Sequence, residues 1–325
     1  MIGKHRVDPV ARGFSGENGF MAAVARVFAA LVWLAAATTS GFAQDVVDGP
    51  FPWQTGYQAP ATHVMEYIDW FSWYTVVIMS LIVLLVVGLL GWCVWKFNER
   101  ANPTPSRVTH HTTIEVLWTV LPVLVLVAIA IPSFRLLYGQ YDPSKLYADF
   151  DPQTAQFLNV KVTGLQWSWD VAYSNDEQSA AHGVAEPIAL SVFMVPDADI
   201  GENQMRNLSV DNPMVVPVNT FVRVQVTAEG DAIHALAVPA FGVKVDAVPG
   251  RLNETYFKAE REGMFYGQCS ELCGKDHAFM PISVQVVSQE RFRTWAQLAA
   301  TDPAAAYGAL TAGLEADKQQ KLAAR

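Results

Sequence analysis

The sequence has few charged residues, and basic ones are the scarcer kind. Charged side chains make up 16% of the 325 residues, with 22 Lys and Arg against 31 Asp and Glu. Between residues 139 and 300 there are 11 basic and 20 acidic side chains. An acidic surface of this kind repels nucleic acid and anionic lipid and attracts basic protein partners, although acidity also serves solubility. We therefore predict no nucleic-acid partner.

Cysteine is also scarce, with three residues in the whole chain. Cys93 lies within a long apolar run, where a thiol acts as a small apolar side chain. Cys269 and Cys273 remain. They could pair as one structural disulfide, or they could both bind a metal.

Two segments lack charge over a membrane-spanning length. Residues 72–97 contain no charge before Lys96, and residues 116–134 contain none. Each reaches the roughly 20 residues that a helix needs to cross a hydrocarbon core. Pro122 and Pro132 are tolerated there if neighbouring groups bind the freed carbonyls. The pattern predicts a two-helix transmembrane hairpin rather than two long buried core helices.

A third apolar patch, residues 21–37, is shorter and has basic residues before and within it. Small residues follow at Gly41 and Ala43. This is typical of a secretory signal peptide, which we place at residues 1–43.

The loop between the two long runs contains Arg100 and Arg107, whereas residues 44–71 contain no Lys or Arg. Because positive charge marks the cytoplasmic side, the hairpin loop is expected inside and both termini outside.

Beyond the hairpin, short alternating stretches replace the helical pattern. They lie at residues 160–163, 221–226 and 282–286, between clusters of Gly, Pro, Asn and Asp. This periodicity is typical of half-buried strands, and the spacing predicts an all-β Greek-key sandwich.

The segment 174–201 looks like a polar loop, and the end of the chain looks like a frayed helix or a disordered tail. The predicted organisation is a signal peptide at 1–43, an extracytoplasmic segment at 44–71, the transmembrane hairpin at 72–138, the sandwich domain at 139–300 and a polar tail at 301–325.

The strongest chemical signal is a run of soft metal donors near the end of the sandwich. Four of these donors lie within twelve residues of one another: Cys269, Cys273, His277 and Met280. His234 lies 35 residues before Cys269. Thiolate, imidazole and thioether together favour copper, and their number suggests more than one metal ion. Zinc is the competing metal, but this spacing is not that of a zinc finger and Met is a poor zinc ligand.

Several motifs carry a family resemblance. They are IEVLWTVLP at 114–122, GLQWSW at 164–169, VDNPMVVP at 210–217, HALAVPAFGVKVDAVPGRLNET at 234–255 and YGQCSELCGKDHAFMP at 266–281. With the order of signal peptide, helix hairpin and sandwich, the chain resembles subunit II of the bacterial aa3-type haem–copper cytochrome c oxidases. The resemblance implies a cupredoxin-like domain that holds the dinuclear copper centre called CuA.

In this family two thiolates bridge two copper ions, which implies that role for Cys269 and Cys273. His234 and Met280 would bind one copper, and His277 and the Glu271 carbonyl the other. The resemblance also implies that the Glu271 carboxylate helps to bind magnesium at the interface with subunit I.

Other residues match family positions in electron and proton transfer. Trp167 would be the electron-entry residue, and Glu115 would stand at the entrance of a proton-uptake path, although an acid there also stabilises a helix N-terminus. Asp170, Asp211 and Asp231 would belong to the cytochrome c docking surface. Ser168 and Ala172 depart from the family pattern near that surface.

The resemblance therefore implies an electron relay in the bacterial inner membrane, with the copper domain and both termini in the periplasm. Electrons from cytochrome c would pass to haem in subunit I, where oxygen is reduced to water and protons are translocated. Subunits I and III and membrane lipid would be the remaining partners. Two alternatives are a quinol oxidase subunit II, which lacks the copper ligands, and a membrane-anchored copper chaperone.

Overall fold

The computed structural model describes residues 49–323 apart from 105, 149, 202 and 203. The predicted signal peptide lies outside the described residues. The described chain consists of a helical hairpin followed by a two-sheet β-sandwich with further helices on its surface. The predicted fold class is therefore confirmed.

Two long helices form the hairpin: α1 spans His63–Lys96 and α2 spans Thr112–Gly139. The most apolar 18-residue window of each helix has a mean hydropathy of 2.8 in α1 and 2.6 in α2, and no residue in either window is buried. Helix α1 begins before the apolar run because the Thr62 side chain caps it, accepting from the Met65 N–H at 3.1 Å. The Thr62 hydroxyl also donates to the Phe241 carbonyl at 2.8 Å, which ties the helix start to the sandwich.

Pro132 of α2 is accommodated by the neighbouring helix. Pro132 cannot donate to the carbonyl of Ala128, four residues before it. The hydroxyl of Tyr74 on α1 donates to that carbonyl at 3.1 Å. A neighbouring helix thus supplies the donor that proline removes, in a region where water cannot.

Ten strands form two five-stranded sheets in the orders β3-β2-β1-β5-β8 and β4-β10-β9-β6-β7. The pairs β1–β5 and β10–β4 are parallel, and the other strand pairs are antiparallel. The strand bounds are Phe157–Leu165 (β1), Ser168–Tyr173 (β2), Ile188–Val192 (β3), Met214–Pro217 (β4), Phe221–Ala228 (β5), His234–Val238 (β6), Val243–Ala247 (β7), Asn253–Lys258 (β8), Gly263–Cys269 (β9) and Pro281–Val287 (β10).

The three strands expected from alternating sequence are present as β1, β5 and β10. Strand β5 alternates between buried and half-buried residues along its whole length. Its buried Val222, Val224 and Val226 contribute to the core between the sheets. Burial of such side chains stabilises the sandwich by about 1.5–3 kcal/mol each.

The segment predicted as a polar loop is partly regular. It contains helix α3, Glu177–His182, and strand β3, which extends the first sheet at its edge. The loop prediction was therefore wrong here. Helix α3 has no long apolar periodicity because it is only six residues long, and its N-terminus is held by the Asp176 side chain instead.

The end of the chain forms α4, Gln289–Ala299, and α5, Pro303–Ala323. Phe292 and Trp295 of α4 are buried, as are Ala306 and Leu310 of α5. The disordered alternative for the tail is therefore wrong, and the first half of α5 is packed rather than frayed. Alanine-rich helices pack closely with few large apolar residues, so hydropathy underestimates their burial.

Candidate metal centre

The predicted metal donors meet at one end of the sandwich. His234 is the first residue of β6 and Cys269 is the last residue of β9. These neighbouring strands are antiparallel, and the Ser270 N–H donates to the Ala235 carbonyl at 3.0 Å. Strand pairing therefore brings His234 beside Cys269 across 35 residues of sequence.

The loop from residue 270 to residue 280 folds back over this end and brings in three more donors. The sulfurs of Cys269 and Cys273 are 3.9 Å apart. His277 Nδ1 and Met280 Sδ each lie 3.5 Å from the Cys273 sulfur. His234 Nδ1 lies 3.9 Å from the Cys269 sulfur.

One backbone oxygen completes the cluster. The Glu271 carbonyl lies 3.3 Å from the Cys269 sulfur. Among the described residues, the donor atoms of His234, Cys269 and Cys273 all lie within 4.8 Å of one another. His234, Cys269, Cys273 and Met280 are buried, so water has little access to the cluster.

Soft donors predominate in this set, which fits copper. The cysteines are free and their sulfurs are not bonded to each other, in contrast to the 2.0 Å of a disulfide. A tetrahedral zinc site uses four donors, whereas five side chains and one carbonyl converge here.

The surroundings favour uncharged ligands when no cation is bound. Burial and then the neighbouring Cys269 thiol raise the pKa of Cys273 to about 12. Burial and then the neighbouring His277 lower the pKa of His234. An imidazole that stays neutral is ready to bind a metal, and a bound cation would favour the thiolate form of Cys273.

The ligand loop is held by Gln166 and Trp167 of the β1–β2 turn and by Trp169 of β2. The side chains of Gln166 and Trp167 both donate to the Cys273 carbonyl, at 2.9 and 3.3 Å. Trp169 Nε1 donates to the Met280 carbonyl at 3.1 Å. Trp169 is fully buried, whereas Trp167 is half-buried and reaches the surface. The ligand loop is thereby fixed at two residues that carry donors.

Two glycines allow this close packing. A Cβ on Gly164 would lie 3.0 Å from three atoms of the His234 side chain. Gly274 has φ +128°, and a Cβ there would lie 2.9 Å from the Trp167 ring. Both positions therefore require glycine, one for space beside a ligand and one for a left-handed turn beside the tryptophan.

Glu271, whose backbone carbonyl lies near the Cys269 sulfur, also lines a cavity of about 810 Å³. That cavity also contains Asp246 and Glu254, together with Lys244 and Arg251. Carboxylate oxygens are ligands that magnesium prefers.

The three predicted docking acids lie toward the same end of the sandwich as the ligand loop. Asp170 accepts from the Ser191 hydroxyl at 2.6 Å, and Asp211 accepts from the Phe193 N–H at 2.8 Å. Strand β3 thus links these two acids. Asp231 lies in the β5–β6 turn, just before His234.

Glu115 lies far along the chain from this cluster, in the first turn of α2. Its carboxylate accepts from the His111 N–H at 3.1 Å, and the His111 side chain caps the same helix. The structural role that the sequence analysis allowed is therefore present. It leaves the carboxylate half-buried at the end of the hairpin loop.

Sequence reasoning missed Gln166, Gly274 and Lys275. Lys275 Nζ lies 5.5 Å from the centroid of the Trp167 ring. All three lie in or next to the motifs that were noted, but only the folded loop shows that they surround Trp167.

Comparisons with known proteins place the chain in one family. The family model "Cytochrome C oxidase subunit II, transmembrane domain" matches residues 50–136, and the model for the periplasmic domain matches residues 158–287. The chain is 43% identical over 246 residues to a probable cytochrome c oxidase subunit 2 of Rickettsia felis, covering 76% of this chain and 72% of the relative.

Plant relatives and a solved structure are similar as well. Cytochrome c oxidase subunit 2 of Zea mays is 41% identical over 256 residues, covering 76% of this chain and 90% of the relative. A crystal structure of the periplasmic domain of subunit II of cytochrome oxidase of Bradyrhizobium japonicum is 54% identical. The match covers 44% of this chain and 92% of the solved chain, with a TM-score of 0.38.

Proposed function

The chain belongs to the cytochrome c oxidase subunit II family, and from that premise we propose that it relays electrons from cytochrome c to haem in subunit I through a dinuclear copper centre. As a member it is a membrane-anchored subunit of a haem–copper oxidase, which is an oxidoreductase complex. Oxygen reduction and the proton translocation coupled to it take place in the assembled complex.

The observation that carries the proposal is the convergence of six donors, two of which are thiols 3.9 Å apart. Cys269 and Cys273 would bridge two copper ions, with His234 and Met280 on one ion and His277 and the Glu271 carbonyl on the other. Copper bound by these residues would supply one-electron redox chemistry.

The protein's own contribution is rigidity and exclusion of water. The donors lie on strand ends and on a loop that Gln166, Trp167 and Trp169 hold by hydrogen bonds. Ligands held in this way need not rearrange when the charge of the centre changes. A small rearrangement favours rapid electron transfer.

Electron entry is assigned to Trp167. Its indole N–H donates to the carbonyl of Cys273, so one hydrogen bond joins the surface to a bridging ligand. Asp170, Asp211 and Asp231 would attract the cations of cytochrome c toward this end.

Two further sites face the rest of the complex. Glu271, with the oxygen-rich cavity beside it, would contribute to magnesium binding at the interface with subunit I. Glu115 would accept protons at the opposite side of the membrane, at the entrance of the uptake path. We place the copper domain and both termini in the periplasm, the hairpin loop in the cytoplasm, and subunit III and lipid among the partners.

Electron paramagnetic resonance of the purified oxidase tests the copper assignment. We expect a signal from one unpaired electron shared by two copper nuclei, and its loss in Cys269→Ser. Cys93→Ser, in helix α1, is the matched control and should keep the signal. A spectrum of isolated mononuclear copper would refute the dinuclear site, and a chain that binds copper but co-purifies with no haem protein would point to a chaperone.

A further inference from the structure

One cation lies directly on the proposed electron-entry residue. Lys275 is the single basic residue of the ligand loop, and its ammonium lies 5.5 Å from the centroid of the Trp167 ring. The same ammonium lies 3.7 Å from the Asp276 carboxylate. The left-handed turn at Gly274 brings ring and loop together. The Lys275 side chain is 77% exposed, so its charge faces an approaching partner.

The surroundings of this cation are acidic or apolar. Asp170, Asp211 and Asp231 lie toward the same end of the sandwich, and Phe193 and Ile233 there are 52% and 44% exposed. A basic partner is therefore attracted to this end in general but is repelled at one point. That point is the face of the indole through which electrons are proposed to enter.

Charges across a docking surface determine its register, because like charges placed opposite each other are strongly disfavoured. An attractive field alone draws a basic partner to the surface without choosing its orientation. A single repulsive charge at the entry point excludes orientations that place a partner's cation on Trp167. An orientation that places an uncharged cofactor edge there is not penalised.

We propose that Lys275 is a specificity-determining residue that sets the docking register of the electron donor. The donor is a small redox protein whose uncharged cofactor edge is ringed by cations. Its edge contacts Trp167 while its cations face the acids around it. This inference rests on the proposed function. It explains why a lysine lies over the electron-entry tryptophan in a domain that is otherwise acidic.

The test is steady-state oxidation of a basic soluble cytochrome c by the whole oxidase, at low and at high ionic strength. In Lys275→Glu, KM is expected to fall about threefold or more at low salt, because one repulsive charge has become attractive. The kcat is expected to fall about threefold as well, because unproductive orientations now compete. Both changes should shrink at high ionic strength, where exposed charges are screened.

The matched control is Lys318→Glu, the same charge reversal on α5. Lys318 follows Asp317, which forms an ion pair with Arg291 of α4. This ion pair places Lys318 near the end of the sandwich opposite the ligand loop. The control should leave kcat unchanged. If both variants lower KM equally and neither lowers kcat, Lys275 contributes only net charge and the proposal is overturned.

The copper signal of each variant is measured in the same preparations. Loss of that signal in Lys275→Gln would show that the residue is structural and would also overturn the proposal. A wild-type oxidase that does not oxidise cytochrome c would instead remove the proposed function, and this inference with it.

Discussion

In the hairpin, apolar side chains such as Leu84 and Leu124 are about half exposed, whereas Val162 and Val284 in the sandwich are completely buried. The two regions therefore use similar residues in opposite environments. Lipid solvates the apolar surface of the hairpin, so each helix needs only a long enough stretch of apolar residues. The sandwich must exclude water from a close-packed core, so its requirement is shape at each position.

The contacts between the helices show the same contrast. The described helices are joined mainly by side-chain packing and by the hydroxyls of Tyr67 and Tyr74, which donate to α2 carbonyls at 3.4 and 3.1 Å. At the metal centre, by comparison, single atoms decide whether a ligand fits. We therefore expect one and the same substitution to have different consequences in the two regions.

The largest difference is expected for glycine to alanine. A Cβ on Gly267 would overlap the Ala237 carbonyl oxygen and crowd Ile282 in the sheet that positions Cys269. Overpacking of this kind costs about 3 kcal/mol, so Gly267→Ala should lower the unfolding temperature and the copper content. A Cβ on Gly91 of α1 meets nothing within 4 Å.

Gly91→Ala is thus the matched control, and its effect should stay within about 1 kcal/mol. Thermal unfolding of the purified oxidase measures the stability of each variant, and metal analysis measures its copper content. Equal losses in the two variants would contradict the comparison.

The next effect is expected at Trp167. Trp167→Phe removes the hydrogen bond to the Cys273 carbonyl but leaves Gln166 bound to the same oxygen. We expect electron entry to slow by about tenfold or more, which is at least about 1.4 kcal/mol in the barrier, while the copper spectrum is retained. Rapid mixing with reduced cytochrome c measures the rate. A lost spectrum would instead assign Trp167 a structural role.

At Glu115 in the hairpin, we expect the identity of a single side chain to matter in addition to the apolar composition of the helix. Glu115→Gln retains an oxygen that can accept the His111 N–H, so the helix start should survive. If the carboxylate takes up protons, turnover should still fall by about tenfold, as in Glu115→Ala, without loss of copper. Oxygen consumption by the purified enzyme measures this. Normal turnover in Glu115→Gln would leave only the capping role.

The smallest effect is expected at Asp176, which caps α3 in the sandwich. Burial by itself raises the pKa of Asp176, but hydrogen bonds from Ser174, Ser179 and Asn159 outweigh it and lower the pKa below its ordinary value. A lowered folded-state pKa stabilises the fold above the unfolded-state value of about 3.9, and this contribution is lost as the pH falls through the lowered pKa.

Asp176→Asn keeps a capping oxygen and loses the charge, so it should cost less than about 1 kcal/mol at neutral pH. The difference from the wild type should vanish in acid. The stability difference between the two proteins is measured by thermal unfolding from about pH 7 to about pH 3. A difference that persists at the acid end would mean that the charge is not its source.

Much of the hairpin and of the donor set was predictable from sequence. Two uncharged runs predicted both helices, and the spacing of Cys269, Cys273, His277 and Met280 predicted a soft-metal site. These signals are local, because length and composition decide membrane insertion and these four donors lie within twelve residues of sequence. Helix α3 and the packed α5 were missed because a six-residue helix and an alanine-rich helix carry little hydrophobic periodicity.

The sequence by itself determined that this chain has a membrane hairpin, a β-domain and donors suited to copper. Only the tertiary structure decided that His234 lies beside Cys269, that Gln166 and Trp167 hold the Cys273 carbonyl, and that Lys275 covers the tryptophan. Those relations join residues as much as 108 positions apart, as between Trp167 and Lys275. They depend on sheet pairing and on a left-handed glycine turn, which place side chains in space according to the whole fold rather than to their neighbours in sequence.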